Sequence, residues 1–340
     1  SLVEPVETNR PSTSLGRGRT MDKTMQATQT HLTQQAGGYL HPAYAASLAE
    51  FGRPRELPRC GGWILERQIP GRTDSDAMGS YPLFACRDWS RLHLDLADLG
   101  PELVSLAVVT DPFGDYDEAD LRRCFPDVVI PFKEHFLVDL SRPLDTILSG
   151  KIRYQVRKAF RAVTVEFCPE PMAFLDEWVA LYQGASQRFK ISSVRAFSRV
   201  AFAKMFHVPG LRVYRAAHQG QTIGMALVMV QGEIAFGHLI AMNDLGYRLD
   251  ASYALYWYQI DQLASHCRWL DLGGVPGAAK NGGPAEGSGL RAYKAHWATD
   301  TRMAYFCGRI FDPARYAAIV QAQGLGPTRY FPAYRQGEFG

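Results

Sequence analysis

The chain has 340 residues, 46% hydrophobic and 21% charged, with 37 Lys and Arg against 34 Asp and Glu. That is the balance of a globular protein long enough for two domains, and a net charge of +3 excludes bulk charge as a reason to bind nucleic acid, so any such surface must be local. Six cysteines (Cys60, Cys86, Cys124, Cys168, Cys267, Cys307) form no CxxC pair and nine histidines form no HExxH, which reads as free thiols in a reducing compartment and no metal site. No apolar run approaches 18 residues and nothing resembles a signal peptide, so a cytoplasmic protein without membrane insertion is expected.

Residues 1–30 are polar and bury too little apolar surface to offset the entropy of ordering, so a disordered tail is expected there, with Met21 or Met25 as a candidate start. Compact structure is expected from near Tyr39. Residues 63–67 and 81–86 read as strands around a polar loop carrying Asp74 and Asp76; this loop and Tyr81 either contact substrate or form a solvated connection. Asp88 is placed to cap a helix with Trp89, Leu92, Leu96 and Leu99 at helical spacing, stopped by Pro101. Residues 103–110 read as a strand ending in a turn, 116–124 as a short helix, and 128–132 and 136–140 as two strands.

Over 144–163, Leu148, Ile152, Val156, Ala159, Phe160 and Val163 recur at three- and four-residue steps, predicting one amphipathic helix. Arg153, Arg157 and Arg161 form a row on another face, flanked by Lys151 and Lys158, with no acid among them. Such a row is either a solvated face or an anion clamp for a phosphate-bearing donor or an RNA backbone. Helices are expected over 171–189 and from the Ser198 cap to 206. Three hairpin-linked strands follow over 211–217, 222–230 and 233–241, then a helix over 251–266 and strands over 268–272 and 303–310.

The most specific stretch is Asp271-Leu272-Gly273-Gly274, a glycine-rich loop, then Gly289-Leu290-Arg291-Ala292-Tyr293-Lys294-Ala295-His296-Trp297. Glycines let backbone approach a ligand, and a loop feeding a helix start presents free N–H groups. This pattern, together with Lys151-Ile152-Arg153-Tyr154-Gln155-Val156-Arg157-Lys158-Ala159 upstream, resembles the Fem-type aminoacyl-tRNA-dependent peptidyltransferases of the GNAT acyltransferase superfamily. The resemblance covers roughly residues 130–312 and is weaker over 39–130. It implies an α/β (α+β) fold of tandem GNAT-like modules, each a mixed, mostly antiparallel sheet flanked by helices. The modules are expected at 31–143 and 144–313, with a C-terminal tail over 314–340. Gln221-Thr222-Ile223-Gly224-Met225-Ala226 fits the Q/R-x-x-G-x-G/A pattern that holds the CoA pyrophosphate in ordinary GNAT enzymes, but it falls in a hairpin turn and strand, where backbone N–H groups serve the ladder. Residues 248–253, where that loop belongs, do not fit it.

The resemblance implies that Lys294 meets the reacting end of the donor or its oxyanion. Asp271 either orients the amine, acts as base, or merely caps the glycine turn. Lys151, Arg153, Arg157, Lys158, Gly273, Gly274 and Arg291 are candidate donor contacts; Tyr253, Tyr256, Tyr293, Asp74, Asp76 and Tyr81 are candidate substrate contacts, with Tyr293 and Trp297 also suited to core packing. The expected activity is transfer of an aminoacyl group from aminoacyl-tRNA to an amine acceptor (peptide, cell-wall precursor or small metabolite) with no permanently bound cofactor. Two alternatives stand beside it: N-acyl transfer from acyl-CoA or an acyl-carrier thioester, and a non-catalytic ligand-binding GNAT fold. No sustained heptad pattern is present, so no coiled-coil arm is expected.

Overall fold

The computed structural model describes residues 37–338 except 101, 192 and 277–287. The expected tail over 1–30, the Pro101 stop and most of the loop after Gly274 lie outside the described residues. A 3₁₀ turn at Gly38–Leu40 and α1 (Pro42–Ser47) precede β1 (Arg53–Leu57), β2 (Gly62–Gln68), β3 (Ser75–Gly79), α2 (Leu92–Leu99), β4 (Ser105–Val109), α3 (Glu118–Cys124) and the long β5 (Val128–Asp139). Next come α4 (Leu144–Ile147), α5 (Gly150–Ala159), β6 (Thr164–Cys168), α6 (Leu175–Phe189), α7 (Arg199–Met205), β7 (Leu211–His218), β8 (Gln221–Gln231) and β9 (Ile234–Met242). The chain ends with α8 (Asp244–Arg248), α9 (Ala251–Leu263), β10 (Trp269–Pro276), α10 (Ser288–Ala295), β11 (Asp300–Ile310) and α11 (Pro313–Ala322).

Among the described residues the strands form one eleven-stranded sheet in the order β1-β2-β3-β4-β11-β5-β10-β9-β8-β7-β6. Two pairs in it are parallel, β3 with β4 and β9 with β10; the others are antiparallel. Each half of the chain therefore lays down an antiparallel run that ends in a parallel pair. The closing strands are exchanged: β5, from the first half, pairs with β10, while β11, from the second, pairs with β4. The expected boundary at 143/144 is thus crossed by the sheet. Strand neighbours are chosen by available ladder edges and apolar faces, which chain order does not dictate.

Alternation along β8 separates two cores. Met225, Leu227 and Met229 join the cluster built on α1, α6 and α7, whereas Ala226 and Val228 join that of α5 and α9. The second cluster explains α5: Ile152, Val156 and Ala159 are its buried stripe, and Ser149 caps its start by accepting from Ile152 N–H. That cap divides the single helix expected over 144–163 into α4 and α5.

Three further expectations change. The strands at 128–132 and 136–140 are one, because Lys133, Glu134 and His135 continue the ladder to β11. Residues 81–86 hold only an isolated bridge between Phe84 and Thr110, and the strand is β3, inside the expected polar loop. Asp76 can face the interior there because Arg335 donates to it twice, at 2.6 and 2.8 Å, and Arg67 lies at 3.6 Å. For the same reason 314–338 is no free tail: Ile319 and Tyr334 pack with Ile69 and Val104.

Candidate active site

The parallel pairing of β9 and β10 is confined to Ile234–Phe236 against Trp269–Asp271. Beyond it β10 leaves β9 and stays on β5 alone, through a bulge with Leu272 and Gly273 between the paired Asp271 and Gly274. Gly273 has φ +84°, a left-handed turn that favours glycine, and a Cβ there would crowd Lys294 Nζ at 3.2 Å. The wedge left between the strands is a cavity of about 250 Å³ whose lining draws on both cores: Tyr39, Tyr81 and Phe236 from one, Ala226, Tyr256 and Leu272 from the other. The cavity thus passes through the plane of the sheet.

Its polar groups converge from four elements. Asp271, 1% exposed, accepts from Gly273 N–H at 2.7 Å and holds His135 Nδ1 at 2.7 Å. His135 Nε2 is buried without a partner and lies against Gly274, where a Cβ would come within 2.7 Å of it. Lys294, from α10, donates to the carbonyls of Gly273 at 2.9 Å and Gly274 at 3.3 Å. An ammonium has three donors, so one remains. Burial brings Lys294 down to about 8, with the Lys133 charge adding to it and the Asp271 carboxylate opposing. Lys133 also lines the cavity and is lowered by burial. Gln259 Nε2, on α9, is a buried donor without a partner on the same wall. Just outside the cavity lining, burial raises Asp111 to about 7, with Asp271 repelling its charge and Phe113 N–H stabilising it.

Of the residues singled out from the sequence, Lys294, Asp271, Gly273, Gly274, Tyr256 and Tyr81 meet at this cavity. The others do not line it. Arg291 pairs with Glu134 at 2.5 Å and tethers α10 to β5. Tyr253 and Tyr293 pack with Tyr256 and the buried Trp297 as an aromatic cluster. Asp74 pairs with Arg72, and Asp76 with Arg335, so these two carboxylates of the loop read as either a substrate contact or a solvated connection are engaged in ion pairs away from the cavity. On α5, Arg153 donates to the Asp145 carbonyl and Lys158 pairs with Asp250 at 2.8 Å, leaving Lys151, Arg157 and Arg161 exposed beside the exposed Tyr154 and Phe160. The Gln221–Ala226 segment lies in β8, laddered to β7 and β9 on its two sides, and holds no phosphate loop.

Sequence reasoning missed His135, His238, Lys133, Tyr39 and Gln259. The one signal was Lys133-Glu134-His135 between two apolar runs, a polar stretch that ordinarily marks a solvated segment.

Residues 149–295 match the family model described as acetyltransferase (GNAT) domain. Solved structures of similar fold include FemX (12% identity, 86% of this chain and 98% of that one, TM-score 0.63). They also include the C-terminal domain of a putative lysylphosphatidylglycerol synthetase from Agrobacterium fabrum (17%, 90% and 98%, TM-score 0.54) and L-PGS from Bacillus licheniformis (15%, 86% and 98%, TM-score 0.54). No curated protein sequence matches. The chain has a GNAT-like fold, with a mixed, mostly antiparallel sheet flanked by helices.

Proposed function

We propose that this GNAT-fold protein moves an aminoacyl group from the ester of an aminoacyl-tRNA to an amine acceptor in the cavity between β9 and β10. The observation that carries the acyl-transfer chemistry is the pairing, across one narrow cavity, of Lys294 with a spare N–H and His135 oriented by Asp271. His135 takes a proton from the acceptor amine at Nε2, with Asp271 fixing the tautomer through Nδ1. The amine nitrogen bonds to the donor carbonyl carbon, and Lys294 donates to the oxyanion that develops. The ester C–O bond then breaks, and the tRNA hydroxyl leaves with the proton from His135. Such a donor places the reaction in the cytoplasm.

Three features favour a tRNA donor. Lys151, Arg157 and Arg161 are exposed beside Tyr154 and Phe160, and cations interleaved with aromatics suit a nucleic-acid backbone. The start of α9, the place where a GNAT pyrophosphate loop is expected, reads Arg248-Leu249-Asp250-Ala251-Ser252-Tyr253 without a glycine, and its N-cap Asp250 is tied to Lys158, so it does not offer the run of free N–H groups that cradles a pyrophosphate. The third is the likeness of fold to FemX and to the two lysylphosphatidylglycerol synthetases. The acyl-CoA reading keeps one specific support, the acetyltransferase description of the matching family.

The test is a salt-dependent binding assay against total charged tRNA, with CoA and acetyl-CoA in parallel. Tight tRNA binding that falls steeply with salt, and that weakens on joint charge reversal of Lys151, Arg157 and Arg161, is the expected result. CoA binding with feeble tRNA association transfers the chain to the acyl-CoA branch.

A further inference from the structure

The acyl-transfer scheme gives no task to Lys133, which lines the same cavity and is partly exposed. Its Cβ and the His135 ring stand on one face of β5, both against Gly274: a Cβ on that glycine would come within 2.8 and 2.7 Å of them. Two residues apart on one face of a strand is about 7 Å, so the two side chains address neighbouring parts of the cavity. Glu134, between them, points to the other face, where Arg291 pairs with it. Lys133 Nζ lies 5.0 Å from the Phe132 ring centroid, and among the described residues it makes no hydrogen bond or ion pair.

The charges of the lining do not balance. Its ammonium groups are Lys133 and Lys294, and among the described residues of the lining the only carboxylate is Asp271, committed to His135 and to Gly273 N–H. Burial lowers both lysines, and a second cation adds to it in each case, Lys133 acting on Lys294 and Arg195 on Lys133. A molecule that fills the cavity displaces water from Lys133, and an ammonium buried without an acceptor is costly. The occupant therefore has to bring the acceptor with it. Lys294 directs its spare N–H to the oxyanion, which leaves one unit of positive charge to be matched. A carboxylate carries one negative charge. A phosphate carries up to about two, and the excess would lie unmatched beside Leu239, Ile240 and Leu290.

We propose that Lys133 is a carboxylate-binding residue, so that the small substrate held beside His135 carries a carboxylate within a few bonds of the reacting atoms. The word substrate rests on the acyl-transfer reading above; the carboxylate site does not. The carboxylate belongs to the amine acceptor or to an acidic acyl group of the donor, and the test separates these sources.

The test uses the full chain labelled with ¹³Cε-lysine, at neutral pH. Propionate, propionamide and propylammonium, similar in size and different in charge, are titrated separately and followed at the Lys133 resonance. Propionate is expected to move it saturably, with propionamide roughly tenfold weaker or more, as for loss of a hydrogen bond between charged groups, and with no response to propylammonium. Followed at Lys294, Lys133→Met is expected to lose the preference for propionate over propionamide, and Lys133→Arg to keep it. β-Alanine against β-alaninamide then reports a carboxylate on the acceptor; aspartate α-methyl ester against asparagine methyl ester reports one on the transferred group. A preference for the acid within a pair identifies its source, and no preference in either pair overturns the proposal. So do equal binding of propionate and propionamide, tighter binding of inorganic phosphate than of propionate, or a preference that survives in Lys133→Met. Should Lys133→Met fail to fold, the wild-type titrations still decide it. No readout involves tRNA, CoA or turnover, so failure here is distinct from failure of the acyl-transfer reading.

Discussion

His135 and Asp271 stand 136 residues apart in the chain, yet the imidazole Nδ1 lies 2.7 Å from the carboxylate. They meet because β5 closes the second half of the sheet against β10, where Leu137 faces Asp271 and His135 faces Gly274. The exchange of closing strands therefore brings a histidine from the first half beside a carboxylate from the second. Neither half alone holds the pair.

That pairing makes the two residues functionally inseparable. His135→Gln is expected to lower kcat by about 10²- to 10⁴-fold, the range for loss of a general base. Asp271→Asn is expected to fall in the same range, and the double variant to be little worse than either single one, since residues acting as a unit are not additive. Single-turnover rates of the four proteins check this; multiplicative losses would mean that Asp271 acts on its own.

Lys294→Ala is expected to reduce turnover by about 10²- to 10³-fold, as for removal of one oxyanion donor, with unchanged far-UV circular dichroism. Because the folded state lowers Lys294 to about 8, its charge is present below that pH and lost above it. Activity should decline on an alkaline limb near pH 8. Lys294→Arg, which stays protonated, should lack that limb whatever its absolute rate. An unchanged limb in Lys294→Arg would assign it to another group.

Asp111 works in the opposite sense on stability. Its folded value is raised to about 7 from an ordinary 3.8, so the folded state binds more protons than the unfolded state between those limits. Its contribution is fully present below about pH 4 and lost as pH rises through 7. Asp111→Asn keeps an acceptor for Phe113 N–H and removes the charge. It is expected to raise Tm at pH 8 by roughly 2 °C or more, corresponding to at least about 1 kcal/mol, with the gain shrinking towards pH 4. A gain independent of pH would show that some other change is being measured.

Asp76 is fully buried between Arg335 and Arg67. Asp76→Ala deprives the buried Arg335 of the carboxylate it donates to twice and leaves Arg67 with Glu338 alone, and is expected to cost about 3–5 kcal/mol. Thermal unfolding should show the loss, while turnover at a permissive temperature stays near wild type. A selective loss of turnover without destabilisation would restore the substrate-loop reading of residues 72–82.

Much of this protein was legible in order along the chain. The hairpin of β7, β8 and β9, the Ser198 cap, and the strand-glycine-helix order from Asp271 to Lys294 all follow from periodicity, capping chemistry and glycine spacing, which are local properties; the Ser149 cap that splits the expected 144–163 helix was not read from them. Lys294 and Asp271 could be singled out because their motif is contiguous. His135 could not: a lysine and a histidine alternating on a strand look the same whether that face meets water or a cavity. Nor could the role of Asp76, whose partner Arg335 lies in a segment that by composition alone reads as a tail. The tertiary structure decided which strand closes each half of the sheet. With that it decided which polar side chains lose their water, which carboxylates are paired, and which nitrogen atoms are left to meet a substrate. Those outcomes depend on burial and on distances between residues far apart in sequence, and no local pattern encodes them.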